Sequence, residues 1–131
     1  MLHHVSFAVN DLVRARVFYD ALLGPLGYVC VESTPTFVGY GLPGGGDKFA
    51  LKARPQRASA PSDGFHLAFA APSRGAVLAA YEAGIDNGGL DNGPPGLRPS
   101  YGPHYYAGFL VDPDGYHVEI VINTPASSTS A

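Results

Sequence analysis

The sequence has no tryptophan, one cysteine and one methionine. A single thiol, Cys30, excludes an internal disulfide and the disulfide-stapled secreted scaffolds that depend on one. It fits a reducing compartment, so a cytoplasmic protein is expected. Cys30 lies in the run YVCVES and reads as a core residue. Charge is also sparse: Asp, Glu, Lys and Arg make up 15% of the chain, with a formal net charge of −3. The 8 Lys and Arg form no run or stripe, which argues against a nucleic-acid binder. No apolar stretch approaches the roughly 20 residues of a membrane span. The basic-then-apolar order of a signal peptide is missing from the N-terminus. What is plentiful is glycine (17) and proline (12), against 46% hydrophobic residues, so turns are many and helices few. A chain of 131 residues suits one compact domain, or two small modules sharing a core.

The chain repeats itself. With residue 4 placed over residue 66, His4 meets His66, Phe7 meets Phe69 and Ala8 meets Ala70. Without a gap, Tyr19 then meets Tyr81, Asp20 meets Glu82, and Ala21 meets Ala83. So many matches in one register point to an internal duplication.

Each copy opens with an alternating strand. In HVSFAV, Val5, Phe7 and Val9 share one face, and His4, Ser6 and Ala8 the other; HLAFAA places His66 with Ala68 and Ala70. A helix follows in both. Asp11 caps LVRARVFYDALLG with Gly24 as its stop, and Leu12, Ala15, Phe18, Tyr19 and Leu22 recur at helical spacing as its core stripe. Ser73 caps RGAVLAAYEAG, with Gly84 as the stop. Three strand-like runs come next in the first copy: GYVCVEST, TFVGYGL and KFALKA. In the second copy a long Gly/Pro loop, DNGGLDNGPPGLRPSYGPH, precedes YYAGFLV and YHVEIVI, which the turn DPDG joins. The copies match as βαβββ units if a short or distorted strand lies inside that loop. The expected organisation is therefore one α+β domain of two tandem βαβββ modules, with curved, mostly antiparallel sheets. Residues 1–54 form the first module, 55–63 a linker, 64–123 the second module and 124–131 a flexible tail.

Equivalent histidines in a duplicated unit are placed to converge across a pseudo-two-fold. Neutral imidazole is a common metal ligand. The last strand offers a third donor: in DGYHVEIVI, Val118 and Ile120 point one way and Glu119 the other, and a carboxylate in an apolar strand is costly unless paired or coordinated. His4, His66 and Glu119 thus form a candidate three-ligand set that leaves positions open for water or substrate. His3 falls on the face opposite His4 and reads as a surface residue. His117 shares a face with Glu119 and is a candidate cavity residue; His104 lies in the Gly/Pro loop.

Three segments together carry a family likeness: HVSFAVNDLVRARVFYDALLGPLGY, FHLAFAA and YYAGFLVDPDGYHVEIV. The chain resembles the vicinal oxygen chelate superfamily, which holds glyoxalase I, extradiol dioxygenases, fosfomycin-resistance transferases and bleomycin-resistance proteins. The resemblance implies a cup-shaped sheet of two βαβββ modules and selects His4, rather than His3, as the ligand seven residues before Asp11. It also implies Glu119 as a ligand on the closing strand. The four-ligand pattern of that superfamily has a further donor on the last strand of the first module, where alignment of GGDKFALK with DGYHVEIV puts Ala50. Alanine cannot ligate, and the missing Glu is the proton shuttle of glyoxalase I-like enzymes. The three remaining donors match the His/His/Glu set of the dioxygenases and fosfomycin transferases.

The expected function is therefore a divalent-metal-dependent enzyme of lyase, isomerase or dioxygenase type. Its substrate is a small molecule that chelates Fe, Mn, Zn or Ni through adjacent oxygens. Tyr101, Tyr105, Tyr106 and His104 are candidate proton donors and acceptors. Tyr105 and Tyr106 point to opposite faces of one strand, so one of them faces the cavity. Arg98 is a candidate clamp for an anionic group, or a brace for its own loop. Phe37 and Tyr40 are candidates for an apolar wall. The resemblance also implies a homodimer, with the site formed within one chain or across two. Two readings compete: a metal-independent, bleomycin-resistance-like dimer that binds a drug or other small ligand, and a purely structural dimer module.

Overall fold

The computed structural model describes residues 1–126; the last part of the expected flexible tail, residues 127–131, lies outside the described residues. In chain order the elements are β1 (Val5–Val9), α1 (Leu12–Leu23), β2 (Val29–Thr34), β3 (Phe37–Gly41) and β4 (Phe49–Ala53), then β5 (Leu67–Ala70), α2 (Arg74–Asp86), β6 (Leu90–Leu97), β7 (Tyr105–Val111) and β8 (His117–Asn123). They build two four-stranded mixed sheets of matching order, β1-β4-β3-β2 and β5-β8-β7-β6. In each, the opening strand pairs in parallel with the last strand, and the other pairings are antiparallel.

The duplication is legible in the hydrogen-bond register. Val5 pairs with Phe49 as Leu67 pairs with Val118, so Ser6 stands opposite Ala50 as Ala68 stands opposite Glu119. Ala50 and Glu119 are thus equivalent positions, as the aligned strand sequences imply.

Local chemistry sets both helix starts. Asp11 Oδ1 accepts from the Arg14 amide at 3.1 Å and Ser73 Oγ from the Ala76 amide at 3.0 Å, caps worth about 1 kcal/mol each. One helix end matches expectation and the other does not. α1 stops at Gly24, which keeps right-handed φ as its C-cap; a 3-10 turn over Gly24–Leu26 then carries the chain on to Gly27, which turns it at φ 93°. Gly84 is not a stop. It lies inside α2, which runs to Asp86, and it is buried; a Cβ there would meet Leu110 Cδ2 at 3.0 Å and Leu22 Cδ1 at 3.2 Å. The glycine serves close helix packing rather than termination. The loop expected to hide a strand does contain one. β6 is an edge strand whose register shifts on either side of Gly93, where φ is 142° and where Pro94 and Pro95 supply no amide hydrogens.

The two halves share one core. Phe7 stacks on Tyr116 with ring centroids 3.9 Å apart, and Phe49 meets Phe69 edge-on at 5.2 Å. The buried Tyr19 hydroxyl donates to Asp112 Oδ2 at 2.6 Å; burial raises the pKa of both groups above their ordinary values. Asp114 accepts from the Asn10 amide at 3.0 Å and from Arg14 Nη2 at 3.1 Å, and the Tyr116 hydroxyl donates to the Ala8 carbonyl at 2.8 Å. The DPDG turn is therefore a latch between the halves as well as a connection between strands.

Candidate functional site

Alternation places the site on β7 and β8. Val118 and Ile120 point into the core, so Glu119 points the other way, yet its side chain is only 2% exposed. A buried carboxylate needs partners, and it has two. His66, just ahead of β5, brings Nε2 to 3.1 Å from Oε1. Tyr105, on β7, donates its hydroxyl to Oε2. Burial, followed by this bond to Glu119, pushes the Tyr105 phenol up to about 12. The choice between the adjacent tyrosines is thereby made by strand parity: Tyr105, Ala107 and Phe109 share the face of Glu119. Tyr106 packs against the core with the Arg74 guanidinium 5.1 Å above its ring.

His66, Glu119 and Tyr105 open onto a groove of about 480 Å³ completed by Ser100, Tyr101 and Phe109. Tyr101 is exposed and meets Tyr105 edge-on, centroids 5.2 Å apart. The groove lining contains no Lys or Arg. Arg98 stays with its own loop: Nη2 donates to the Pro94 carbonyl at 2.5 Å and the guanidinium lies 5.3 Å above the Phe109 ring. It is a brace behind the groove wall, one of the two roles expected of it. Tyr40 belongs to the core, with its hydroxyl donating to Asp20 at 2.8 Å; Phe37 is half-buried on β3. Cys30 is half-buried against the core, as expected. His104 is exposed and His117 half-buried, and neither lines the groove.

The three expected metal donors do not meet within one chain. Among the described residues, no three His, Cys, Asp or Glu side chains are grouped to hold an ion. The reason is topological. His4 and His66 begin the outer strands of two different sheets, and His4 lies on a separate cavity, its Nδ1 2.8 Å from that of His3. Of the three expected donors, one chain brings only His66 and Glu119 together. Their Nε2 to Oε1 spacing is that of neighbouring ligands on one ion, since donors about 2.0–2.2 Å from a metal sit roughly 3 Å apart at right angles. An imidazole, a carboxylate and an open groove fit a divalent ion that takes its other ligands elsewhere.

The sequence pattern of the glyoxalase/bleomycin resistance protein/dioxygenase superfamily matches residues 1–120. The chain belongs to that superfamily. No curated protein is significantly similar to it. Among solved structures, a glyoxalase/bleomycin resistance protein from Albidiferax ferrireducens T118 is 37% identical, with a TM-score of 0.76 over 90% of this chain and 94% of that one. A glyoxalase-related enzyme from Fulvimarina pelagi, 21% identical, gives a TM-score of 0.73 over 100% of this chain and 95% of its own. A glyoxalase/bleomycin resistance protein/dioxygenase family enzyme from Burkholderia phytofirmans PsJN, 20% identical, gives 0.72 over 94% and 98%. The last two establish likeness of fold alone.

Superfamily membership does not supply the groove's remaining lining, Phe109 and Ser100. Phe109 was within reach of strand parity, because it stands directly opposite Glu119 in the β7–β8 ladder. Ser100, in a loop, carries no sequence signal of its kind.

Proposed function

We propose that this superfamily member is a divalent-metal-dependent enzyme acting on a small substrate that presents two adjacent oxygens. In this reading His66 and Glu119 of one chain and His4 of a second copy hold the ion in a homodimer. One observation carries it: a carboxylate 2% exposed, within 3.1 Å of an imidazole, at the floor of an open groove. The dimer is supported by the sheet order, which leaves β1 and β5 as outer strands with a histidine at the head of each. Exposed strand edges are sites of pairing with another chain.

A bound ion in such a site supplies Lewis acidity toward the substrate oxygens. The chain does the rest. Glu119 is held in place by the Tyr105 hydroxyl, which fixes which oxygen faces His66. Tyr105 is the group placed to hold a proton at the groove floor. With its pKa raised to about 12 it stays a phenol at neutral pH, suited to donate a hydrogen bond to an oxygen gaining negative charge. Tyr101 and Phe109 form an aromatic wall, and a lining free of Lys and Arg suits a substrate of low charge better than a phosphorylated one. Ala50 in place of a fourth ligand removes the glyoxalase I proton shuttle, so the reaction differs from that one.

The test is metal analysis of untagged protein prepared without chelators, followed by chain mixing. Stoichiometric ion in the wild type is expected, with loss in His4→Ala and in Glu119→Ala. Mixing those two variants is expected to restore one site per dimer, because each chain keeps what the other lacks. Failure of mixing to restore metal would overturn the shared site.

A second reading is a metal-independent dimer that binds a small ligand. The absence of a three-donor group among the described residues and Ala50 at the fourth-ligand position favour it. Tight ligand binding that survives chelator would establish it.

A further inference from the structure

A second cavity lies where the two halves meet, and it shares no lining residue with the Glu119 groove. Its volume is about 270 Å³. Natural cores keep few voids larger than one water molecule, whose share of the liquid is about 30 Å³. A space several times that size, walled by large side chains, is a formed cleft rather than loose packing. The walls are Val5 and Phe49 from the first sheet, Leu67 and Phe69 from β5, and Leu23 from the end of α1. Tyr40 adds its ring alone, because its hydroxyl is committed to Asp20. Tyr28 adds the other phenol of the lining, and the interior is otherwise apolar.

The rim is different. Lys48, His3 and His4 line the opening. The Lys48 backbone is fixed: its amide donates to the Tyr40 carbonyl at 2.7 Å and its carbonyl accepts from the Val5 amide at 3.0 Å. The ammonium therefore starts from a fixed point at the mouth. Among the described residues it forms no ion pair with a carboxylate. A cation and two imidazoles over an apolar interior, in a chain of net charge −3, are complementary to an amphiphile with a single negative head.

We propose that this cleft binds a small apolar monocarboxylate, tail inward and carboxylate on Lys48. A cleft of about 270 Å³ lies at the small end of ligand pockets and suits a short tail rather than a long lipid chain. Binding there needs neither Glu119 nor a metal ion.

Octanoate is the probe, titrated into the full-length protein by calorimetry, with octylamine as the charge-reversed control. Octanoate is expected to bind at one site per chain and octylamine not at all. Lys48→Glu, at an exposed position, is expected to weaken octanoate by up to about fivefold, the scale of one exposed charge pair. Leu67→Trp, which fills the interior, should abolish binding, while Tyr81→Phe, which lines neither this cleft nor the groove, leaves it unchanged. Three results would overturn the proposal: no octanoate binding; equal binding of octylamine; or unchanged affinity in both Lys48→Glu and Leu67→Trp. A cleft closed by a second copy would appear as the first of these, with Leu67→Trp altering the dimer in sedimentation.

Discussion

The two halves of the chain have the same strand order and the same register, yet only the second carries a charged site. Where β8 has Glu119, β4 has Ala50; where β7 has Phe109, β3 has Gly39. His66 faces a carboxylate at 3.1 Å, whereas His4 faces His3. The first half also folds its own loop over the equivalent surface: a Cβ on Gly39 would lie 2.8 Å from Asp47 Cβ, and one on Gly41 would lie 2.2 Å from the Gly46 carbonyl. Small residues let that loop close down. The two scaffolds thus differ: one carries a buried acid and an aromatic groove, the other an exposed histidine pair and a closed surface.

The sharpest way to break this asymmetry is to exchange the two strand positions. Glu119→Ala is expected to lower metal affinity more than about 100-fold, above the range for loss of a residue that only supports a ligand. Ala50→Glu is the informative converse. Ala50 is 1% exposed, so an unpaired carboxylate there should destabilise the metal-free protein by about 2–4 kcal/mol. In the shared-site reading, added divalent ion recovers much of that loss, read as a rise in Tm. Destabilisation that metal leaves untouched would show that the equivalent positions never face one ion.

A second contrast lies between the helices. The repeat that aligns His4 with His66 also aligns Leu22 with Gly84, and the two meet: Leu22 Cδ1 is 3.2 Å from where a Gly84 Cβ would stand. One copy grew a knob and the other kept the hole. Gly84→Leu is expected to cost about 2–3 kcal/mol by overpacking, measured by urea denaturation. Leu22→Ala in the same chain should recover part of it, a coupling of about 1 kcal/mol or more. Simple additivity of the two substitutions would mean that the contact is not a packing pair.

This pairing explains what the sequence made legible and what it hid. Strand alternation and the repeat were readable because each depends on local spacing, and they placed Glu119 opposite Val118 and Ile120 correctly. Gly84 resembles a stop in sequence because glycine looks the same whether it ends a helix or admits a neighbour, and the neighbour is sixty-two positions away in the aligned copy. β6 lay inside a run rich in Gly and Pro, which local propensity reads as loop; its position on the sheet edge is what permits the prolines. The candidate site was readable in its chemistry but not in its assembly. Donor types and faces follow from the sequence, whereas the separation of His4 from His66 follows from how two sheets pack.

The smallest effect concerns the aromatic partner of Glu119. The equivalent register position in the first half precedes β3 and is Pro35, so only the second half has a phenol at this position. Burial and the bond to Glu119 raise Tyr105 from 10.0 to about 12. The sign follows from proton binding: the folded state holds this proton more tightly than the unfolded chain, so stability falls as pH rises between those values. Below pH 10 the contribution is complete. Tyr105→Phe is therefore expected to remove a late-titrating phenol from the alkaline absorbance curve and to flatten the loss of stability between pH 10 and 12. Tyr81, raised to about 12 by burial and its bond to Asp91, is the internal control, because it titrates in the same window on an exposed surface of the same half. If Tyr81→Phe flattens that decline and Tyr105→Phe does not, the phenol at the groove floor is open to water, and Glu119 keeps its place without it.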